Sequence, residues 1–264
     1  MLAKRVASAF ILIPIIVLLV YLGSWPLFIA LALAGLVACY EFLDLLKRMG
    51  ANPTVPVSLL FVLLFLADGF WPTWNILHWT VWPAMALLLT VQVFNRNRPG
   101  SVHGWTGALA GALYIGLSLS FFLRMRALDR GDLRVLIILG GTWISDSGAY
   151  FVGRAYGKRR LAPKISPNKT WEGVWGGIAT GVPSVWLASW LLLGLDHWQG
   201  IVLGVVLVAA ATVGDLAESV IKRQVGVKDS SDLIPGHGGM LDRIDSLLFV
   251  APALYYCMVL FYYL

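Results

Sequence analysis

The sequence predicts an all-α, polytopic membrane protein of about nine transmembrane helices with its N-terminus in the cytoplasm. Three observations carry that expectation. The 264 residues are 59% hydrophobic and only 13% charged, with a mean hydropathy of +0.78, whereas a soluble domain is about half apolar and about a quarter charged. Apolar runs close to the roughly 20 residues that cross a hydrocarbon layer recur along the whole chain. The basic residues are segregated to alternate connections between those runs.

The apolar runs occupy 4–22, 26–46, 54–70, 77–95, 104–124, 133–153, 172–194, 198–221 and 245–263. The third is the shortest and starts close to Pro53 and Pro56. Lys4 and Arg5 followed by an apolar run resemble the start of a signal peptide. The run continues to about Tyr21 with no Ala-x-Ala site, so it reads as a retained first helix. Links as short as Gly23–Trp25 and Leu195–Asp196 predict helical hairpins.

Nine spans put the N-terminus and the 2–3, 4–5, 6–7 and 8–9 connections on one side. All but four of the 20 Lys and Arg residues fall there, the exceptions being Arg124, Arg126, Arg130 and Arg134. The positive-inside rule makes that side cytoplasmic. Two readings are open for the exceptions: pairing with Asp129 and Asp132, or contact with lipid headgroups. The net charge of +6 suits a protein facing anionic lipid. Nucleic acid is not an expected partner, because the cations form no exposed stripe interleaved with aromatics. Trp25, Trp71, Trp74, Trp79, Trp105 and Trp198 lie at span ends, as interfacial anchors do. His78, His103 and His197 sit in polar links, and Cys39 and Cys257 read as small hydrophobes without metal or disulfide spacing.

Acids inside apolar spans are costly and tend to mark function. Those that stand out are Asp146, Asp215 and Glu218, with Glu41 and Asp44 nearer a span end and open to two readings, polar contacts between helices or residues that reach the site. Asp215, Glu218, Ser219, Lys222 and Arg223 are spaced i, i+3, i+4, i+7, i+8, which is one helix face. Acids followed by two cations suit a metal beneath a phosphate-binding mouth; the alternative is a buried ion-pair stripe with Glu218 against Lys222. Asp242 and Asp245 share a face if the ninth helix begins near Leu241. Hard oxygen donors select Mg²⁺-like ions, which are held by one or two carboxylates plus substrate phosphates. No Cys/His set suits zinc.

Two polar segments, 154–171 and 222–244, come late in the chain. The first 132 residues therefore read as a scaffold, and 133–264 as the catalytic region with two cytoplasmic loops. In "DLIPGHGGMLDR", Pro235 fixes a bend, while Gly236, Gly238 and Gly239 free the backbone for close approach to a phosphate or simply for a hairpin link. His237 is either a contact for phosphate or base, or part of the loop. There is no P-loop pattern. In the earlier segment, Lys164, Ser166 and Lys169 lie among Pro163 and Pro167, a mixture suited to phosphate recognition or to a plain topogenic loop.

The run "SVIKRQVGVKDSSDLIPGHGGMLDRID" (Ser219–Asp245) resembles the signature of the phosphatidate cytidylyltransferases: Ser-x-x-Lys-Arg, four residues, Lys-Asp, Pro-Gly-His-Gly-Gly, then Asp-Arg-x-Asp. "SDSGAYFVGRAYGK" and "KISPNKTWEG" are similar to the same family, so the likeness covers about 140–250. The resemblance implies the reaction of CTP with phosphatidate to give CDP-diacylglycerol and pyrophosphate. It also implies Mg²⁺, a second cation such as K⁺, a homodimer, and a bacterial inner (plasma) membrane with the active site facing the cytoplasm. On that pattern Asp215 and Asp242 are expected to hold the metal, with Asp245, Glu218 and Ser219 close by. Lys222, Arg223, Lys228 and Arg243 would surround the nucleotide phosphates. Asp146, Lys164, Ser166 and Lys169 would close the site, the lysines toward the lipid phosphate; Asp229, His237, Gly238 and Gly239 complete the substrate-binding set. Two other classes are weighed: a CTP-dependent lipid kinase acting on a polyprenol-type alcohol, which would release CDP, and an ion-coupled transporter. Transporters commonly carry repeats with polar features in both halves; here those features crowd one half.

Overall fold

The computed structural model describes residues 2–94, 101–231, 233 and 238–261. Helix dominates them. In chain order the elements are α1 (Leu2–Leu22), α2 (Ser24–Arg48), α3 (Val55–Phe70), α4 (Ile76–Phe94) and α5 (Ser101–Gly111). A π-helical stretch, Ala112–Leu117, carries α5 into α6 (Ser118–Arg126). Then come α7 (Gly131–Tyr156), strands β1 (Arg160–Ala162) and β2 (Ser166–Thr170), α8 (Trp171–Ala188), which ends in a second π stretch, Ser189–Leu193, and finally α9 (His197–Gln224) and α10 (Leu241–Phe261).

Six helical stretches among the described residues are long and apolar enough to cross a membrane: Ser24–Arg48, His103–Arg126, Gly131–Tyr156, Trp171–Leu193, His197–Gln224 and Leu241–Phe261. Of the other three expected spans, α1 and α4 are helices of 21 and 19 residues, and α3 (Val55–Phe70) is the short one with 16. At 1.5 Å per residue, the 16 residues of α3 reach about 24 Å, less than the roughly 30 Å of a hydrocarbon core. His78, His103 and His197, expected in links, instead fall in α4, α5 and at the first residue of α9.

The chain divides into two compact units: Met1–Ala127 with Ile221–Ile244, and Leu128–Val220 with Asp245–Leu264. In the first, Phe65, Leu43, Leu66, Ile115, Leu119 and Met125 are fully buried. Small residues set the spacing there: a Cβ on Gly116 would lie 2.8 Å from Val62 Cα, and one on Gly111 2.7 Å from the Phe42 ring. Asp68, an acid not singled out above, is buried on α3 and ion-paired with Arg124 of α6.

That pair begins the account of the four basic residues that break the charge pattern. Arg126 Nε donates to Val20 O (2.9 Å) and its Nη2 to Tyr21 O (3.2 Å), covering carbonyls that the end of α1 leaves open. In the second unit, Arg130 donates to Leu192 O (2.8 Å) and Arg134 to Asp129 O (2.8 Å). Three of the four thus bond to backbone carbonyls and one to a buried acid. Asp129, one of the two acids expected beside this cluster, is met by Arg134 at its backbone carbonyl.

The second unit is built on glycine. Gly148 of α7 faces Gly176 and Thr180 of α8, and a Cβ on Gly148 would sit 2.8 Å from Gly176 O. Thr180 Oγ1 donates to Gly176 O at 3.0 Å and Ile144 O at 3.3 Å. Close helix approach through small residues is the membrane solution to packing, because lipid offers apolar side chains no hydrophobic incentive to pair. Gly204 of α9 meets Val182 of α8, and Gly214 of α9 meets Asp245 and Ser246 of α10. We expect Gly148→Val to cost about 1–3 kcal/mol or more through overpacking and to lower the melting temperature of the purified protein in detergent. Gly140→Ala, with no atom within 4 Å of its new Cβ, is expected to melt like the parent.

Candidate active site

In the second unit the polar residues converge from four elements. α7 runs to Tyr156 and the chain then forms the antiparallel β1–β2 hairpin, with Arg160 opposite Thr170 and Ala162 opposite Ser166. The sequence reading expected only a bent loop here. The hairpin is pinned by Glu172 at the start of α8, whose carboxylate accepts from Lys158 N (3.0 Å) and Arg159 N (3.1 Å). Thr170 caps α8 by accepting from Gly173 N at 3.1 Å. Pro163 falls in the turn between the strands, and Pro167 is the second residue of β2.

The hairpin carries Lys169 to α9, where its Nζ lies 2.5 Å from Asp215 Oδ2. Asp215 Oδ1 accepts from Ser219 Oγ at 3.4 Å. Asp146 on α7 is exposed and lies in the electrostatic field of Asp245, Asp215 and Lys169. Asp245, in the first turns of α10, accepts from Ser246 N at 2.6 Å. Glu218 is fully buried and Ser219 nearly so. Lys164 is exposed in the turn between the strands, and Ser166 begins β2. Of the residues expected in this unit, Asp146, Lys169, Asp215, Asp245 and Ser219 are thus drawn together, while Lys164 stands out in solvent.

In the first unit the polar residues gather on the 221–244 segment. Asp242, one residue into α10, is half-buried and engaged at both oxygens: Oδ1 meets Lys222 Nζ at 2.5 Å, and Oδ2 accepts from Ser230 N, Ser230 Oγ and Gly239 N, each at 2.8 Å. The glycines now have a specific reason. Gly238 adopts φ +78°, a left-handed conformation that favours glycine, and a Cβ there would crowd Asp242 Oδ2 at 2.7 Å. A Cβ on Gly239 would collide with Ser230 Oγ and would lie 2.5 and 2.6 Å from the Glu41 oxygens. These two glycines make room for carboxylates. Arg223 donates to Val227 O at 2.8 Å, while Lys228, Asp229 and Arg243 are exposed. His237 lies outside the described residues.

Glu41 is the residue that sequence reasoning undervalued. Buried on α2, it accepts from Ser231 Oγ (2.6 Å), Leu241 N (2.8 Å), Ser230 Oγ (3.0 Å) and Met240 N (3.0 Å). The available signal was an acid inside an apolar helix. Its neighbour Asp44 makes only an exposed pair with Arg48 at 2.8 Å.

The donor chemistry can be weighed against the expected Mg²⁺. Among the described residues, no group of three or more His, Cys, Asp or Glu side chains is gathered to cage an ion. Mg²⁺ does not ask for one: it takes one or two carboxylates and completes its shell with water and substrate phosphate. Asp215, Asp245 and Asp146 offer oxygen donors of that kind, with a lysine beside them that suits a phosphate. The residues present fit the ion.

Apolar helices that carry acids and lysines, with oxygen donors and no thiolate or imidazole cluster among the described residues, define a helical membrane protein suited to handling phosphate groups. The chain belongs to the cytidylyltransferase family, whose family model matches residues 3–261. It is 35% identical over 269 residues to the phosphatidate cytidylyltransferase of Bacillus subtilis (strain 168), covering 98% of each chain. Against the phosphatidate cytidylyltransferase of Synechocystis sp. it is 30% identical over 292 residues, covering 97% of this chain and 96% of the relative. The enzyme of the same name from Haemophilus influenzae is 55% identical over a shorter 115 residues, 42% of this chain and 40% of that one.

Breaking a buried pair leaves a charge without compensation, so Lys222→Met is expected to destabilise the protein by about 3–5 kcal/mol. Lys222→Met combined with Asp242→Asn removes the charge and keeps an acceptor for Ser230 and Gly239. Chemical denaturation should show the double variant recovering most of that loss. For the hairpin, Glu172→Gln should let trypsin cut after Lys158, Arg159 or Arg160 several-fold sooner than in the parent.

Proposed function

We propose that the protein transfers the cytidylyl group of CTP to phosphatidate, giving CDP-diacylglycerol and pyrophosphate. The observation that carries this reading is the match along 98% of both chains to a relative named for that activity. The phosphatidate phosphate attacks the α-phosphorus of CTP, the bond from that phosphorus to the bridging oxygen breaks, and pyrophosphate leaves. Phosphomonoesters have a second pKa of about 6, so the nucleophile is already largely anionic at neutral pH and a strong general base is not required. Positioning and charge neutralisation do most of the work in such transfers.

Asp242, expected at the metal with Asp215, has its oxygens on Lys222, Ser230 and Gly239 in the first unit; in the second unit, Asp215 and Asp245, with Glu218, Ser219 and Asp146 nearby, are the residues that would hold Mg²⁺. Bound there, the ion would offset the negative charge of the triphosphate. Lys169, 2.5 Å from Asp215, brings a cation to these acids and suits the lipid phosphate. Lys164 and Ser166 lie on the same hairpin. In the first unit, Lys222, Arg223, Lys228 and Arg243 are assigned to the nucleotide phosphates. The hydrogen bonds of Asp242 fit a part in fixing Lys222 and the glycine turn. A second cation such as K⁺, and a homodimer, belong to the same proposal and rest on the family resemblance.

The further proposal is nine spans with a cytoplasmic N-terminus in an inner membrane. Among the described residues, a helical stretch falls in each of the nine apolar runs. The four arginines on the minority side bond to backbone carbonyls or to Asp68, which supports counting them as structural rather than topogenic.

The purified protein, given CTP, phosphatidate and Mg²⁺, is expected to release pyrophosphate in step with CDP-diacylglycerol. Release of CDP with a phosphorylated alcohol, or no nucleotide turnover, would overturn the reading. Asp215→Asn should lower turnover by about a hundredfold or more, the scale of several kcal/mol of charge stabilisation, while the protein stays folded.

A further inference from the structure

We infer that Glu41, in the N-terminal half of the chain, is a positioning residue for the nucleotide, acting through residues 228–231 and 240–242; the inference rests on the cytidylyl-transfer reading. Its carboxylate touches both stretches. At one it accepts from the hydroxyls of Ser230 and Ser231, at 3.0 and 2.6 Å. At the other it accepts from the amides of Met240 and Leu241, at 3.0 and 2.8 Å, the residue before α10 and the first residue within it. One buried side chain therefore ties Ser230 and Ser231 to Met240 and Leu241 and caps the helix that follows.

Ser230 links this clamp to the cations. Its amide and hydroxyl both lie 2.8 Å from Asp242 Oδ2, and Asp242 Oδ1 holds Lys222 Nζ. A hydroxyl has a single proton, so Ser230 donates to Glu41 or to Asp242 at any instant, and the two carboxylates share one donor. The order Glu41, Ser230, Asp242, Lys222 runs without a gap larger than 3.0 Å. Glu41 has no need to touch substrate: it sets where the Lys222 ammonium and the segment carrying Lys228 stand. A carboxylate supplies the four lone-pair directions that these donors require, whereas glutamine offers two and adds two N–H donors of its own. The structure thus explains a glutamate, and not merely a polar residue, at this position.

The test uses full-length protein in lipid or detergent, with three readouts on Glu41→Gln, Glu41→Asp and the control Asp44→Asn. Glu41→Gln should raise KM for CTP about tenfold, the scale of losing a hydrogen bond to a charged group, and leave KM for phosphatidate within about twofold. Amide hydrogen exchange at Ser230, Met240 and Leu241 should quicken. Glu41→Asp should restore part of the CTP effect, and Asp44→Asn should behave as the parent. A lower melting temperature with unchanged KM for CTP would make Glu41 structural only and overturn the inference, as would parental exchange at the three amides. Should Glu41→Gln fail to fold, Ser231→Ala removes one donor and should raise KM for CTP by about two- to threefold; no rise would count equally against the inference. A parent protein that makes no pyrophosphate would sink the transfer reading alone, while the exchange measurement would still decide whether Glu41 clamps the segment.

Discussion

Among the described residues, the carboxylates of Glu41, Asp68 and Asp242 are each answered by partners on another stretch of chain, and much of the structure is arranged around that requirement. A charge taken out of water costs several kcal/mol unless it is paired or richly hydrogen-bonded. Asp68 is held by Arg124 and Asp242 by Lys222, while Glu41 takes four donors from the 230–241 segment. Each of these contacts ties together segments far apart in sequence, the longest from Glu41 to Leu241. In a chain with so few charges, each pairing is also a topological decision. It specifies which helix stands against which, something that interchangeable apolar surfaces do poorly.

The same requirement governs the backbone. Helix ends leave carbonyls open, and hydrocarbon supplies no water to satisfy them. Arg126 and Arg130 answer carbonyls at Val20, Tyr21 and Leu192, so long cationic side chains act as caps across sequence separations of 106 and 62 residues. Glycine has the complementary task. Along α7, α8 and α9 it removes side-chain bulk so that backbones and small hydroxyls meet directly, as at Gly148, Gly181 and Gly204.

What was legible from sequence follows from which signals are local. Apolar run length located the helices, because crossing a hydrocarbon layer is a one-dimensional constraint. The beginning of α10 at Leu241 was anticipated only as a condition for Asp242 and Asp245 to share a face. The hairpin at 160–170 was not foreseen: Pro163 and Pro167 argue for a bent loop, and the pinning by Glu172 depends on folding back of the chain. Lys169 and Asp215 could both be singled out as polar residues near span ends, but no periodicity relates a strand to a helix 46 residues later. Glu41 was visible as an acid in an apolar run, yet its partners lie about 190–200 residues away. Asp68 was hidden by similar distance from Arg124. Gly238 and Gly239 looked like a flexible phosphate cradle, because sequence cannot say that the neighbours requiring the space are carboxylates of the protein itself.

The π-helical stretch at Ala112–Leu117 carries one more consequence. An α-helix turns about 100° per residue, so inserting or removing a residue ordinarily swings everything beyond it to a new direction. A wide turn is, in effect, an α-helix that has absorbed an extra residue. Gly111 faces Phe42 on one side of the stretch and Gly116 faces Val62 within it, so the widened turn reconciles two contact surfaces that a uniform helix would present at other angles. Trimming one residue there would relax the coil to ordinary pitch while leaving both flanks aimed as before. This segment is therefore the place where the chain could change length without re-aiming its neighbours.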